Sequence, residues 1–229
     1  MRIIIEFSWM GKDCLLEVDD QGHCCCCWAF AATKAITAAH AHINGEIVPL
    51  SKQHLLDCMY THYNKPTWFE YLEENECFPC SYAKAYTFAR DHGIVKEVKY
   101  PFTEQRSECH GPSEEIKGFK RVNENLNKKA IENLIKQQSI TCVVPHVPSF
   151  NDFLGEKVYM DPTNLKNEAT KKLIEEGNYK KLCIALLIVG YGVEDGVDLY
   201  LVKNSWRKEW GHKGYAKIER GVLSNLFYP

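Results

Sequence analysis

One stretch restricts the possible folds more than any other. From Cys27 to Ile43 the chain is alanine-rich, carries apolar residues nearly all round a helical wheel, and stops at Asn44-Gly45, a natural helix C-cap pair. A helix that is apolar on most sides has no face to give to water, so it must be buried. The flanking segments supply further helices. Ser51 to Cys58 reads as a short helix with Ser51 as N-cap. Ser81 to His92 reads as another, ended by Gly93. Asn127 to Gln138 puts Ala130, Ile131, Leu134 and Ile135 on one face. After that the period changes. Ile140 to Val144, Cys183 to Val189, Asp198 to Lys203 and Gly214 to Glu219 are short, rich in strand formers and separated by turn residues. Between the first two lies Asp161 to Lys181, polar and helix-friendly, which reads as an insertion. Helices followed by strands predict an α+β fold, with two halves facing each other across a cleft.

The chain has 229 residues, enough to bury a core without staples. Its 45% hydrophobic and 25% charged residues exclude a mostly disordered chain. A net charge of −2 argues against a general electrostatic grip on nucleic acid or anionic lipid. The richest apolar run, Ile184 to Val189, is far shorter than the roughly 18 residues of a membrane span. Eleven cysteines stand out. The number is odd, so complete pairing still leaves one thiol over. Four are consecutive, Cys24 to Cys27, where side chains diverging at about 100° per residue cannot close a metal tetrahedron; no metal site is expected. Scattered positions such as Cys58, Cys77 and Cys109 look like a disulfide framework from an oxidising compartment. Yet Met1 to Glu6 is no signal peptide. Two readings stay open: bridges if the chain is exported, reduced core thiols if it is not.

The chemistry sits at the start of the buried helix. The segment Gln21-Gly22-His23-Cys24-Cys25-Cys26-Cys27-Trp28-Ala29-Phe30 resembles the Q-G-x-C-G-x-C-W-A-F of papain-like cysteine peptidases. Leu50-Ser51-Lys52-Gln53 leading to Leu56-Asp57-Cys58 is similar to that family's L-S-x-Q…L-x-D-C. Tyr100-Pro101-Phe102, Val189-Gly190-Tyr191-Gly192 and Lys203-Asn204-Ser205-Trp206 with Trp210-Gly211 follow in the family's order and spacing.

The resemblance implies a single papain-like domain, with a helical lobe over about 12–112. A β-barrel lobe over about 113–229, plus the N-terminal strand, would close the cleft from the other side. It makes Cys27 the nucleophile, at a helix N-terminus whose unpaired N–H groups favour a thiolate. Gln21 would hold the oxyanion and Asn204 would orient the catalytic histidine, shielded by Trp206. Cys80 would pair with substrate backbone, and Tyr82 and Ala185 would line the pocket for the side chain two residues before the scissile bond. Disulfides Cys24–Cys77 and Cys58–Cys109 are implied by the family pairing. So are a polypeptide substrate or cystatin-like inhibitor as partner, no cofactor, a monomer, and a lysosomal, vacuolar or extracellular location. Family members carry an inhibitory pro-segment before the mature domain, so the sequence is expected either to be a fragment or to start at that domain.

One position breaks the pattern. The catalytic histidine belongs six residues before Gly190, and that residue is Ile184. Isoleucine neither accepts nor donates a proton, whereas thiol peptide cleavage needs a base to form the thiolate and an acid for the departing amine. His146, expected on the neighbouring strand, is the best substitute base. Cys25 and Cys26 stand where the family has glycine and a small polar residue. Cys77-Phe78-Pro79-Cys80 replaces C-N-G-G, and Arg207 replaces a glycine. The expectation is a papain-like peptidase domain with severely impaired turnover. The alternatives are an endopeptidase rescued by His146 and a peptide- or inhibitor-binding protein without turnover. The nucleophile, lacking an imidazolium partner, should titrate in the ordinary thiol range.

Overall fold

The computed structural model describes residues 3–62, 76–110, 120–121, 126–145, 148–160 and 183–229. The expected insertion from Asp161 to Lys181 and the candidate base His146 lie outside them.

The buried helix is α1, Cys27–Asn44; Gly45 closes it in the left-handed region at φ +73°, its N–H bonded to the Ala41 carbonyl. From Trp28 to Ala39 nearly every side chain is buried, as the all-round apolar pattern requires. Helix α2, Lys52–His62, begins where the Ser51 hydroxyl accepts the His54 N–H at 2.9 Å. Helix α3, Tyr82–His92, is capped by Ser81 and stopped at Gly93. Helix α4, Lys128–Gln137, is capped by the Asn127 side chain on the Ala130 N–H. A four-residue turn of helix, α5 at Pro148–Asn151, is not visible in the sequence pattern.

Among the described residues, seven strands form one antiparallel sheet. They are β1 (Ile3–Ser8), β2 (Lys120–Arg121), β3 (Ile140–Pro145), β4 (Cys183–Glu194), β5 (Val197–Lys203), β6 (Tyr215–Glu219) and β7 (Ser224–Tyr228). The order is β2-β7-β3-β4-β5-β6, with β1 added on β4. The path does not close on itself among the described residues, so the expected barrel is an open sheet there.

Strand β4 organises the molecule. β5 pairs with it from Leu187 to Glu194, so β3 and then β1 must share its other edge, over Cys183 to Ile188 and Gly190 to Glu194. It runs five residues past the expected end at Val189, through Gly190 and Gly192. Those glycines are not turn punctuation. A Cβ on Gly190 would lie 2.5 Å from the Phe7 carbonyl, and one on Gly192 would lie 2.3 Å from that of Ile4.

Both faces of β4 are covered. Ala185, Leu187 and Val189 pack into a core built with α1, α2 and α3 around Trp28, Phe30, Leu55 and Tyr86. Ile184, Leu186 and Ile188 face a second core with Ile135, Phe150, Val202 and Trp210. Burial of each such side chain contributes about 1.5–3 kcal/mol. Cys27 touches both cores, which places it at the seam between them.

Candidate active site

The loop before α1 is held from several sides. The Gln21 backbone N–H donates to the Ser205 carbonyl at 2.9 Å. Its side-chain Nε2 donates to the Cys24 carbonyl at 2.7 Å, and its Oε1 accepts from the Ser205 hydroxyl at 2.7 Å. Cys24 is bonded to Cys77, and Cys58 to Cys109. The structure thus takes the bridged reading left open by the sequence. The four consecutive cysteines meet four fates: Cys24 is bridged, Cys25 exposed, Cys26 fully buried, and Cys27 half-buried at the seam.

The Cys27 thiol faces β4. The Ala185 N–H donates to its Sγ at 3.4 Å. Burial pushes the thiol up; the N–H groups of Ala185 and Trp28 offset part of this, while Cys25 and Cys183 add to it. The result is about 11. That lies above the ordinary thiol range expected from the sequence, because desolvation adds to the loss of a cationic partner.

Ile184 is 4% exposed and sits where strand alternation turns it into the second core, against which Cys27 and Trp206 also pack. Asn204 is equally buried. Its Oδ1 accepts the Ser205 N–H at 2.8 Å, but its Nδ2 has no hydrogen-bond partner among the described residues. A buried amide donor left unpaired costs about 1–3 kcal/mol. Trp206 meets Phe150 and Trp210 edge-on at 5.7 and 5.8 Å. Cys27, Ile184 and Trp206 therefore pack in the same core, with Asn204 buried two residues before Trp206 in the chain.

The substrate-side residues are more closed. Tyr82 is 3% exposed, its hydroxyl donating to the Asn225 carbonyl of β7, and Ala185 is 5% exposed. Both belong to the first core, so little of either side chain is left for a substrate residue. Cys80 is half-buried beside an exposed Pro79. Arg207 takes the left-handed conformation at φ +67°, which costs a non-glycine residue about 1–2 kcal/mol. Its Nε lies 2.6 Å from Asp20 Oδ2, an exposed pair that offsets at most about 1 kcal/mol of that strain.

Behind Asn204 lies a feature the sequence did not disclose. Lys203 is 4% exposed and donates to the Leu16 and Glu17 carbonyls. Lys34 and Lys52 converge nearby on Asp19, at 2.8 and 3.5 Å. Burial, then the Lys34 charge, press the Lys203 ammonium down to about 7, more than Asp19 and Glu17 restore. The partners are more than a hundred residues from Lys203 in sequence, so no local pattern could join them.

The linkage has a definite sign. Between about pH 7 and the unfolded value of 10.5 the folded chain binds fewer protons than the unfolded one, so stability climbs with pH. Each unit is worth about 1.4 kcal/mol. Above about pH 9 the raised thiols of Cys26, Cys27 and Cys142 pull the other way. Urea unfolding near pH 7 and near pH 8.5 should show the wild-type chain gaining up to about 2 kcal/mol, and Lys203→Met losing most of that gain. Equal gains in both proteins would contradict the burial argument.

Comparison with known proteins decides the family. The model of the papain family cysteine proteases matches residues 5–226. The chain belongs to this family. It is 30% identical to cathepsin L1 of Drosophila melanogaster, over 97% of this chain and 57% of that protein. It is 32% identical to a cathepsin L-like peptidase of Aedes aegypti, over 97% and 62%. The chain spans about three-fifths of the length of these relatives. Among solved structures, a ragweed pollen cysteine protease, Amb a 11, in its proform superposes with a TM-score of 0.75 at 27% identity. That match covers all of this chain and 66% of that one. Bromelain from Ananas comosus, solved with the E64 inhibitor, gives 0.74 at 24% identity over 97% of both chains. These likenesses establish the α+β papain fold.

Proposed function

We propose that this papain-family domain binds extended polypeptide in its cleft but cleaves peptide amides with severely impaired turnover. The observation that carries the reading is the surroundings of Cys27. Its thiol is desolvated to about 11, receives an N–H from Ala185, and packs beside Ile184 where a proton carrier is required. Gln21 supports a retained oxyanion site, since only one of its two Nε2 hydrogens is engaged among the described residues, with Cys24. The orphaned Asn204 amide supports a triad that has lost its middle member. Two disulfides support folding in an oxidising compartment, lysosomal, vacuolar or extracellular.

Site-resolved alkylation tests the state of the thiol. Four units above neutrality, on the order of one Cys27 in 10⁴ is thiolate at pH 7. Iodoacetamide labelling of Cys27, read by peptide mass to separate it from exposed Cys25 and Cys183, should quicken about tenfold per pH unit from 7 to 10. Fast labelling that stays flat down to mildly acidic pH would mean that a cation pairs with Cys27, and His146 would be the residue to replace first.

A further inference from the structure

At the C-terminal half of α2, the Cys58–Cys109 bridge has an unusual neighbour. His54 and Cys58 lie one turn apart on α2, so their side chains share a helix face. One imidazole nitrogen of His54 and the sulfurs of Cys58 and Cys109 all lie within 4.8 Å of one another. Zinc bonds of about 2.0–2.3 Å in a tetrahedron require ligand atoms roughly 3.3–3.8 Å apart, so the two sulfurs must rotate apart once their bond is broken, while the imidazole nitrogen is already near both. His54 is 2% exposed, and its Nδ1 has no hydrogen-bond partner among the described residues. The imidazole is thus buried with one nitrogen unsatisfied, close to two sulfurs. We propose that, once the Cys58–Cys109 bridge is reduced, its two thiolates and the His54 imidazole bind one Zn²⁺ ion, with water as the fourth ligand.

The chemistry balances. A small-molecule thiol reduces the bridge and leaves as its own disulfide, and Zn²⁺ then displaces the two thiol protons. The ligands are held together by more than the sulfur–sulfur bond. Asp57 accepts the Ser107 N–H at 2.7 Å and the hydroxyls of Ser107 and Tyr100 at 2.8 and 3.0 Å. Gln53 donates to the Gln105 carbonyl at 2.7 Å and accepts the Thr103 N–H at 3.0 Å. This network fixes the loop carrying Cys109 against α2 whether or not the bridge is intact. Cys109 is exposed, which gives the ion and its water a route in. The site would let the same fold be clamped by a disulfide in oxidising surroundings and by zinc in reducing ones.

The test uses the full chain with Cys25→Ser and Cys183→Ser, which removes exposed thiols that would chelate metal elsewhere. Reduced and oxidised samples are titrated with Zn²⁺ against a chromophoric chelator. The proposal expects one tightly held zinc per reduced chain and none per oxidised chain. His54→Ala and Cys109→Ser should each weaken binding by more than the roughly tenfold that an outer-sphere partner costs. Where His54→Ala does not fold, His54→Gln serves in its place. Zinc should also raise the melting temperature of the reduced chain and leave the oxidised one unmoved. Binding that is absent on reduction, equal in both redox states, or unchanged by the His54 and Cys109 substitutions overturns the proposal.

Discussion

Ile184→His should raise peptide-amide cleavage at least tenfold over the unmodified chain, a partial recovery of the roughly 10²–10⁴ that positioned acid–base catalysis supplies. Ile184 packs in the same core as Cys27 and Trp206, and the amide of Asn204 waits with an unpaired Nδ2. An imidazole there would raise the thiolate population of Cys27 and supply the proton that a departing amine needs. Recovery should stay incomplete, because the nearly closed Tyr82–Ala185 region and the side chain of Cys25 remain. The comparison is made as kcat/KM on a fluorogenic peptide amide, with Cys27→Ala in the same background as control. A folded Ile184→His protein no better than the parent would show that the missing histidine is not what limits this site.

Cys77→Ser is expected to cost about 2–5 kcal/mol in urea unfolding. The Cys24–Cys77 bridge closes a span of 53 residues, and its removal releases the entropy of that loop in the unfolded chain. The damage should reach the site. Cys24 supplies the carbonyl that anchors the Gln21 side chain, and its freed thiol would stand next to Cys25. Mispaired bridges involving Cys24 and Cys25 should therefore appear on peptide mapping after refolding. A loss under about 1 kcal/mol, with a clean disulfide map, would mean that the loop before α1 is held by its hydrogen bonds alone.

Much of the helical lobe was legible because its signals are local. Alanines on every side announce a buried α1, and Ser51 caps a helix where the sequence predicts it; Ser81 and Asn127 cap two more. The sheet was legible only in part. β4 was cut short at Val189 because glycines normally end strands, whereas here they make room for the backbone of β1. β7, Ser-Asn-Leu-Phe-Tyr, alternates too weakly and stays too exposed to stand out. At the site, family spacing singled out Cys27, Ile184 and Asn204 as the residues to examine. It could not disclose that the Ala185 N–H points at the thiol, since a backbone donor leaves no trace in residue type. Nor could it assign separate fates to Cys24, Cys25, Cys26 and Cys27. These depend on which core each side chain meets once the seam has closed.

The most direct measurement sets a peptide ester against the matched peptide amide, both offered to the unmodified chain. The ester is an activated one, such as a p-nitrophenyl ester, whose leaving group departs without a proton, whereas an amine does not. A slow release of about one equivalent from the ester, lost in Cys27→Ala, is therefore expected. Amide hydrolysis should lie at least about 10²–10⁴-fold below that of an intact papain-family peptidase assayed alongside. Sustained amide cleavage by the unmodified chain, abolished by Cys27→Ala, would contradict the account.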